Sequence, residues 1–311
     1  MTEPLDVGQL VQSIDAERLR AHVARLSEGD RHPVYSADRH AAAAGYIAAA
    51  FEEATLRVRV HPFTKGELEG RNLIAAIPGG QPELSPILVC GHYDSVAGSP
   101  GADDNASGVA ALLECARVLS GATLRRPVEF AALDMEERQP VEGALLGGSA
   151  LAEEAKRGRP YEGVYNLEMI GYTSGPGTQR FPTGFRFLFP GVYRTIRSLG
   201  FRGDLLAVVA LGRSRVLSRR FAEAAARWVP ELGVVPVEAR RWMAIPDLLR
   251  SDHAPFWRAG MPAIMLTDTA NFRSPHYHKA TDTPDTLDYA FLHRVTRALV
   301  ATVAEHAAEG E

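Results

Sequence analysis

The spacing of apolar residues predicts an α/β protein. Near the amino terminus, apolar residues recur at three- and four-residue steps over 7–27 and 36–55, which is the period of amphipathic helices, and Ser36 is placed to cap the second. The stretch LRVRVHPF at 56–63 alternates apolar and polar positions and predicts a half-exposed strand. Short apolar runs that predict further strands follow at 72–77, 87–90, 128–133, 164–169, 205–210, 234–237 and 263–267.

Helical patterns alternate with these later strands, over 105–119, 144–156 and 215–228. A long helix is predicted to begin near Pro284, with an apolar stripe of Leu287, Phe291, Val295, Leu299 and Val303. Repeated strand–helix–strand units predict a three-layer α/β/α sandwich with a mainly parallel sheet, in which 57–77 forms an antiparallel edge.

The domain organisation predicted from this pattern is a single domain over 1–311. The helices of 1–55 are expected to pack on that domain, and 171–250, which starts with a loop rich in Gly, Pro and Thr, is expected to shape a substrate pocket. Apolar residues make up 46% of the chain, which is enough for a packed core.

The net charge and the amino-terminal sequence argue against several classes of partner and location. The 34 basic and 38 acidic residues give a net charge of −4, without the basic excess of a nucleic-acid binder. The two cysteines, Cys90 and Cys115, lie in apolar stretches and are expected to be free thiols. The amino terminus lacks a signal-peptide pattern, and no apolar run is long enough to span a membrane. A cytoplasmic protein without membrane or nucleic-acid partners is therefore expected, whereas the oligomeric state is not indicated.

Acidic and imidazole side chains follow three of the predicted strands. His92 and Asp94 follow ILVCG, the pair Glu136 and Glu137 follows VEFAALD, and Glu168 lies near the end of VYNLEMI. Because the carboxyl ends of parallel strands meet at one edge of a sheet, these groups are expected to converge on a common crevice.

Two loops add to this set, one with Asp104 before a predicted helix and one with His278 after the strand AIMLT. Imidazole and carboxylate ligands suit a divalent metal, with zinc the leading candidate. Asp104, Glu137 and Glu168 with a bridging hydroxide carry a charge of −4, which two divalent cations balance. Without cations these like charges would force some of the carboxyls to protonate, so the cluster predicts two ions.

The motifs GHYDS, GADDNASG, DMEE, NLEMIG, SDHAPFW and YHKATDTPD, spread in order over about 88–290, resemble those of the di-zinc aminopeptidase family. That family includes aminopeptidases S and Y, glutamate carboxypeptidase-like enzymes and the glutaminyl cyclases, and the resemblance implies a zinc-exopeptidase-like fold. It implies that one zinc is held by His92, Asp104 and Glu168. The second zinc would be held by Asp104, Glu137 and His278, so that Asp104 bridges the two ions.

The resemblance also implies roles for three further side chains. Glu136 would be the general base, Asp94 would orient His92 through its other ring nitrogen, and Tyr277 would steady the reacting oxygen. A cis peptide bond is implied at Asp104–Asn105. The implied activity is hydrolysis of the amino-terminal peptide bond, or of an amino-acid amide, through a hydroxide shared by the two zinc ions.

The sequence departs from the family pattern at two places near the predicted site. Glu168 replaces the commoner Asp, and 138–143 lengthen the loop after Glu137.

Two alternatives to an aminopeptidase are kept: a glutaminyl cyclase-like acyl transferase, which uses one zinc, and a non-catalytic relative. For Ser251, Asp252 and His253, a structural hydrogen-bond network is favoured over a catalytic triad, and His276 is equally compatible with a solvent-facing and a functional role.

Overall fold

In a computed structural model of the chain, which describes residues 5–138, 143–240 and 246–309, the described residues form one eight-stranded sheet. Each predicted strand is present. The strands are β1 Val58–Lys65, β2 Leu68–Ile77, β3 Ile87–His92, β4 Val128–Leu133, β5 Gly163–Leu167, β6 Leu205–Leu211, β7 Gly233–Ala239 and β8 Ala263–Thr267.

The strand order is β1-β2-β4-β3-β5-β8-β6-β7. The central strands β4, β3, β5 and β8 are parallel, and β1 and β2 form the predicted antiparallel edge. One feature of the other edge was not predicted: β6 pairs antiparallel with β8, and β7 then pairs parallel with β6. An apolar run indicates that a strand is buried but not which way it runs.

Helices cover both faces of the sheet, as predicted. Those of the described residues are α1 Val7–Gln12, α2 Ala16–Leu26, α3 Ala37–Glu53, α4 Gly108–Leu119, α5 Leu146–Arg157, α6 Phe185–Leu188, α7 Pro190–Ser198, α8 Arg215–Trp228, α9 His253–Arg258 and α10 Tyr289–Ala308. The short helices α6, α7 and α9 were not predicted, because a helix of one or two turns has too few residues to show a period.

Two predicted helix boundaries were wrong for local reasons, and one predicted cap residue is in place but makes no capping hydrogen bond. The 7–27 helix is broken before α2, where Asp15 accepts hydrogen bonds from the backbone N–H groups of Glu17 and Arg18 and starts a new helix. Ser36 occupies the cap position of α3 but makes no capping hydrogen bond. Pro284 opens only a short turn, whereas α10 starts at Tyr289 and is capped by Asp288.

Of the predicted apolar stripe of α10, Phe291, Val295, Leu299 and Val303 are fully buried, as expected, and Leu287 is buried just outside the helix.

Successive side chains of a strand point to opposite faces of the sheet, so each strand supplies residues to the apolar clusters on both faces. On β6, Leu206, Val208 and Ala210 pack in the main core, whereas Ala207 and Val209 join a separate apolar cluster with Phe185 and Met265. Among the described residues, no helix combines the length and apolarity needed to cross a bilayer.

Candidate metal centre

Three neighbouring parallel strands bring the predicted site residues to one edge of the sheet. His92 is the last residue of β3, Glu136 and Glu137 follow β4 after a two-residue step, and Glu168 comes directly after β5. Because the three strands run in the same direction side by side, their ends deliver these side chains to a common place.

The five predicted metal-binding side chains lie together in two groups that share Asp104. In the first group, Nε2 of His92 lies 3.3 Å from Oδ1 of Asp104 and 3.6 Å from Oε2 of Glu168. In the second group, Nε2 of His278 lies 3.2 Å from Oδ2 of Asp104 and 3.2 Å from Oε1 of Glu137. Each oxygen of Asp104 therefore faces a different imidazole.

The atoms of the first group fit a bound cation. Nε2 of His92 and Oδ1 of Asp104 are buried and have no hydrogen-bond partner within the described ranges, although buried polar atoms are normally paired. Two ligand atoms of a tetrahedral zinc lie about 3.3 Å apart, given zinc–ligand distances of roughly 2.0–2.2 Å. The observed 3.3 Å separation of these two atoms matches that spacing.

Asp104 lies in a wide irregular turn, Ala102–Ser107, from which its carboxylate faces both groups. The peptide bond between Asp104 and Asn105 is cis, as the resemblance implied. The carboxylate of Asp282 accepts hydrogen bonds from the backbone N–H groups of Asp103 and Asp104 at 2.9 and 3.1 Å. The side chain of Asn105 bonds to the backbone on both sides of Glu168, at Leu167 and Met169. The turn is thus fixed to the end of β5, which carries another group of the cluster.

Asp94 connects two of the strand ends. Its carboxylate is fully buried, accepts hydrogen bonds from the backbone N–H groups of Glu136 and Glu137 at 3.0 and 3.1 Å, and has Oδ1 3.4 Å from Nδ1 of His92. Burial alone raises the pKa of Asp94, but His92 and the Glu136 N–H together bring the pKa below its usual value. Nδ1 of His92 also lies within hydrogen-bond distance, 3.2 Å, of the backbone oxygen of Asp94. Asp94 is therefore placed to hold the ring of His92 from its other nitrogen, with both its backbone and its carboxylate.

The carboxyl groups of Glu136 and Glu137 have raised pKa values in the metal-free chain. Burial is the largest cause for both groups. The charges of Glu168 and Glu137 further raise the pKa of Glu136, and the charge of Asp104 helps to raise the pKa of Glu137 to about 7. The carboxylate of Glu136 also lies within 4.8 Å of ligand atoms of His92 and Glu168. Positive ions would relieve this crowding of acids.

Glu168 reaches the cluster despite its extra methylene. Its Oε2 accepts a 2.7 Å hydrogen bond from the hydroxyl of Ser251, which itself accepts one from the side-chain amide of Asn166. His253 instead bonds through Nε2 to the backbone oxygen of Leu248. Ser251 and His253 thus have separate hydrogen-bond partners and do not form a triad, whereas the carboxylate of Asp252 has no hydrogen-bond partner among the described residues, so the predicted network does not include it. The contact of Ser251 with Glu168 was missed, since a buried serine has no sequence signal.

Tyr277 lies at the mouth of the cluster, with its ring stacked on that of His278 at a centroid distance of 3.7 Å. Its hydroxyl accepts a 2.7 Å hydrogen bond from Nη2 of Arg250, a residue that was not predicted to belong to the site.

His276 bonds to the hydroxyl of Thr281 and is not a member of either ligand group. Within the lengthened loop at 138–143, residues 139–142 lie outside the described residues.

A cavity of about 560 Å³ opens beside the cluster. Its lining includes the acids Asp104, Glu136, Glu137 and Glu168. The rest is mostly apolar, lined by Phe181, Phe185, Ile196, Leu205, Ala207, Val209, Val235, Val237, Leu248 and Met265. All of these residues except Met265 lie in 171–250, the region that was expected to shape a substrate pocket, although the sequence did not indicate which of its side chains face the cavity.

The sheet carries at its strand ends a cluster of imidazole and carboxylate groups of the kind that binds divalent metal ions. Residues 72–187 and 199–303 match the model of Peptidase family M28, and the chain belongs to this family.

The chain is similar to proteins of bacteria and fungi. The "Uncharacterized protein YfbL" of Escherichia coli K12 is 34% identical over 83% of this chain and 77% of its own length. A "Probable zinc metalloprotease" of Leptosphaeria maculans is 27% identical over 96% of this chain and 75% of its own length.

Solved structures share the fold at low identity. The LapA aminopeptidase of Legionella pneumophila superposes with a TM-score of 0.74 at 18% identity, over 100% of this chain and 78% of that one. The glutaminyl cyclase of Macrostomum lignano superposes with a TM-score of 0.73 at 17% identity, over 98% of this chain and 94% of that one. The predicted zinc-exopeptidase-like fold is therefore confirmed.

Proposed function

We propose that this chain is a zinc-dependent aminopeptidase that binds two metal ions and hydrolyses the first peptide bond of a peptide, or the bond of an amino-acid amide. The observation on which the proposal rests is the pair of ligand groups that share Asp104, next to the buried carboxyl of Glu136 and an apolar cavity. Membership in family M28 and similarity to an aminopeptidase fold and to a probable zinc metalloprotease support it.

One ion would be held by His92, Asp104 and Glu168, and the other by Asp104, Glu137 and His278. When bound, the ions would polarise the substrate carbonyl and lower the pKa of water, so that a nucleophile is available near neutral pH. Asp94 would keep the ring of His92 in the orientation that directs Nε2 at the ion.

Glu136 would move the proton during hydrolysis. Its carboxylate faces the same space as the ligand atoms of His92 and Glu168, and its residue is only 6% exposed. It would take a proton from water as the oxygen attacks the carbonyl carbon, and give that proton to the departing amine nitrogen as the carbon–nitrogen bond breaks. The hydroxyl of Tyr277, which lines the same cavity, would donate a hydrogen bond to the substrate oxygen as negative charge develops there.

The apolar cavity would hold the side chain of the first residue of the substrate. Its aromatic and aliphatic lining favours a large apolar side chain, because burying such a group gains roughly 25 cal/mol per Å² of apolar surface. The free α-amine of the substrate would lie near the carboxylates of the cluster, which favours cleavage at an amino terminus over cleavage within a chain.

The test is a screen of amino-acid amides and dipeptides with zinc supplied, repeated after treatment with a chelator. We expect chelator-sensitive release of large apolar first residues. Glu136→Gln should keep its bound metal and lose about 10²–10⁴-fold in kcat, whereas Glu83→Gln, an exposed matched control, should behave as wild type. A fully active Glu136→Gln enzyme would refute the assigned role.

Metal analysis separates the alternatives. We expect two zinc ions per chain, whereas a glutaminyl cyclase-like enzyme would hold one and form a cyclic product from a substrate with amino-terminal glutamine. A non-catalytic relative would turn over neither type of substrate. A cytoplasmic location remains a prediction, and fractionation of cells that express the chain tests it.

A further inference from the structure

Arg250 lies at the rim of the cavity and contacts Tyr277. Its Nη2 donates a 2.7 Å hydrogen bond to the tyrosine hydroxyl. Its Nη1 lies 3.4 Å from a carboxylate oxygen of Asp247 and 3.3 Å from the side-chain oxygen of Asn271. Side chains from two different segments therefore hold the guanidinium beside the phenol.

The direction of this hydrogen bond determines what Tyr277 can do. A guanidinium has only donors, and a phenol has one proton and lone pairs that accept. Because Arg250 donates to the hydroxyl oxygen, the proton of Tyr277 must point to another acceptor. The ring is fixed by stacking on His278, and the residue lines the cavity with the acids of the metal centre, so its proton is available to a substrate oxygen there.

The charge of Arg250 acts in the same sense. A cation that donates to the phenol oxygen favours displacement of the hydroxyl proton toward another acceptor. Arg273, another arginine at the cavity, is engaged instead with Gln179 and the backbone oxygen of Leu205.

We propose that Arg250 is a positioning residue that directs the hydroxyl proton of Tyr277 at the substrate carbonyl oxygen. This inference rests on the proposed aminopeptidase function. The hydrogen bond from Tyr277 should stabilise the transition state more than the bound substrate, because the carbonyl oxygen accepts most strongly once negative charge has developed on it. Loss of Arg250 should therefore lower kcat and leave KM nearly unchanged.

The test is a double-mutant cycle of Arg250→Gln and Tyr277→Phe, assayed with leucine para-nitroanilide, a substrate without a carboxylate. We expect Tyr277→Phe to lower kcat by about 10²-fold and Arg250→Gln by about tenfold, with KM within about twofold. The double variant should be no slower than Tyr277→Phe, because both substitutions remove the same interaction. Arg258→Gln, an exposed arginine on α9, serves as the matched control and should match wild type.

A second measurement does not depend on turnover. In metal-free protein labelled with isotope on the tyrosine hydroxyl-bearing carbon, the resonance of Tyr277 is identified by its loss in Tyr277→Phe. Arg250→Gln should shift that resonance, and Arg258→Gln should leave it in place. An unmoved resonance would show that the guanidinium does not contact the phenol and would overturn the proposal.

Two kinetic outcomes would also overturn it. Arg250→Gln could lower kcat by the same factor with and without the Tyr277 hydroxyl, which would show that the residues act independently. It could instead raise KM only for dipeptides with a free carboxylate and leave the anilide unaffected, which would make Arg250 a substrate-binding group. A wild-type chain with no activity on any substrate would refute the proposed function, so the two failures are distinguishable.

Discussion

Replacing Asp94 by Asn tests whether this carboxylate organises the metal centre. The substitution keeps the size of the side chain and removes its charge and one of its two carboxylate oxygens. In the structure both oxygens are in use, because they accept from the N–H groups of Glu136 and Glu137, and Oδ1 also faces His92. An asparagine amide offers one oxygen and one NH₂, so one of the two backbone N–H groups would face another donor.

The size of the effect follows from these contacts. A hydrogen bond to a charged group contributes about 1.5–3 kcal/mol, and a buried donor left without an acceptor costs about 1–3 kcal/mol. Asp94 is fully buried, so water cannot replace the lost bond. We therefore expect Asp94→Asn to lower the free energy of unfolding by about 3 kcal/mol. Because His92 loses its charged partner, zinc affinity should also fall, by about 10–100-fold.

The assay has two arms. Denaturant unfolding of the metal-free protein gives the change in stability, and zinc titration against a competing chelator gives the change in affinity. Asp38→Asn, which removes the same charge from an exposed position on α3, is the control and should change both quantities little. The backbone oxygen of residue 94, which also faces Nδ1 of His92, is unchanged in this variant, so the assay isolates the carboxylate. Zinc affinity within about twofold of wild type in Asp94→Asn would show that the carboxylate does not orient His92, and the reasoning would be wrong.

Two further predictions concern the cavity and a buried histidine. Ala207→Phe adds a ring to the cavity wall on β6, so kcat/KM should shift from large to small apolar first residues by about 10–200-fold, as measured with paired leucine and alanine amides. Burial lowers the pKa of His306 to about 3, so the imidazole stays neutral in the folded chain while the unfolded chain binds a proton below about pH 6.5. Stability is therefore lost as the pH falls from about 6.5 toward 3, by about 1.4 kcal/mol per pH unit from this group. His306→Gln keeps a partner for the hydroxyl of Tyr165 and should flatten the pH dependence by that slope, and an unchanged slope in denaturant unfolding at pH 6 and 5 would contradict the assignment.

The strands and the metal-site candidates differ in how much of their structure the sequence could predict. Apolar runs located β2 to β8, because burial on both faces of a sheet requires continuous apolar residues, and alternation of apolar and polar positions located the half-exposed β1. His92, Glu136 and Glu168 could be placed together because each follows a strand that was predicted to be parallel to the others. The start of α10 was misplaced, since Pro284 and Asp288 are both suited to a helix start and only packing distinguishes them.

The sequence by itself determined the α/β pattern, the order of the motifs and the identity of the acids and imidazoles that converge at the strand ends. These features depend on side-chain period and residue type, which are local properties of the chain. Only the tertiary structure decided that β6 and β7 run against β8 and that Ala207 and Val209 face the cavity. It also decided that Ser251 contacts Glu168 and that Arg250 donates to Tyr277. Such contacts join segments distant along the chain, and their geometry is set by how the whole sheet and its loops pack.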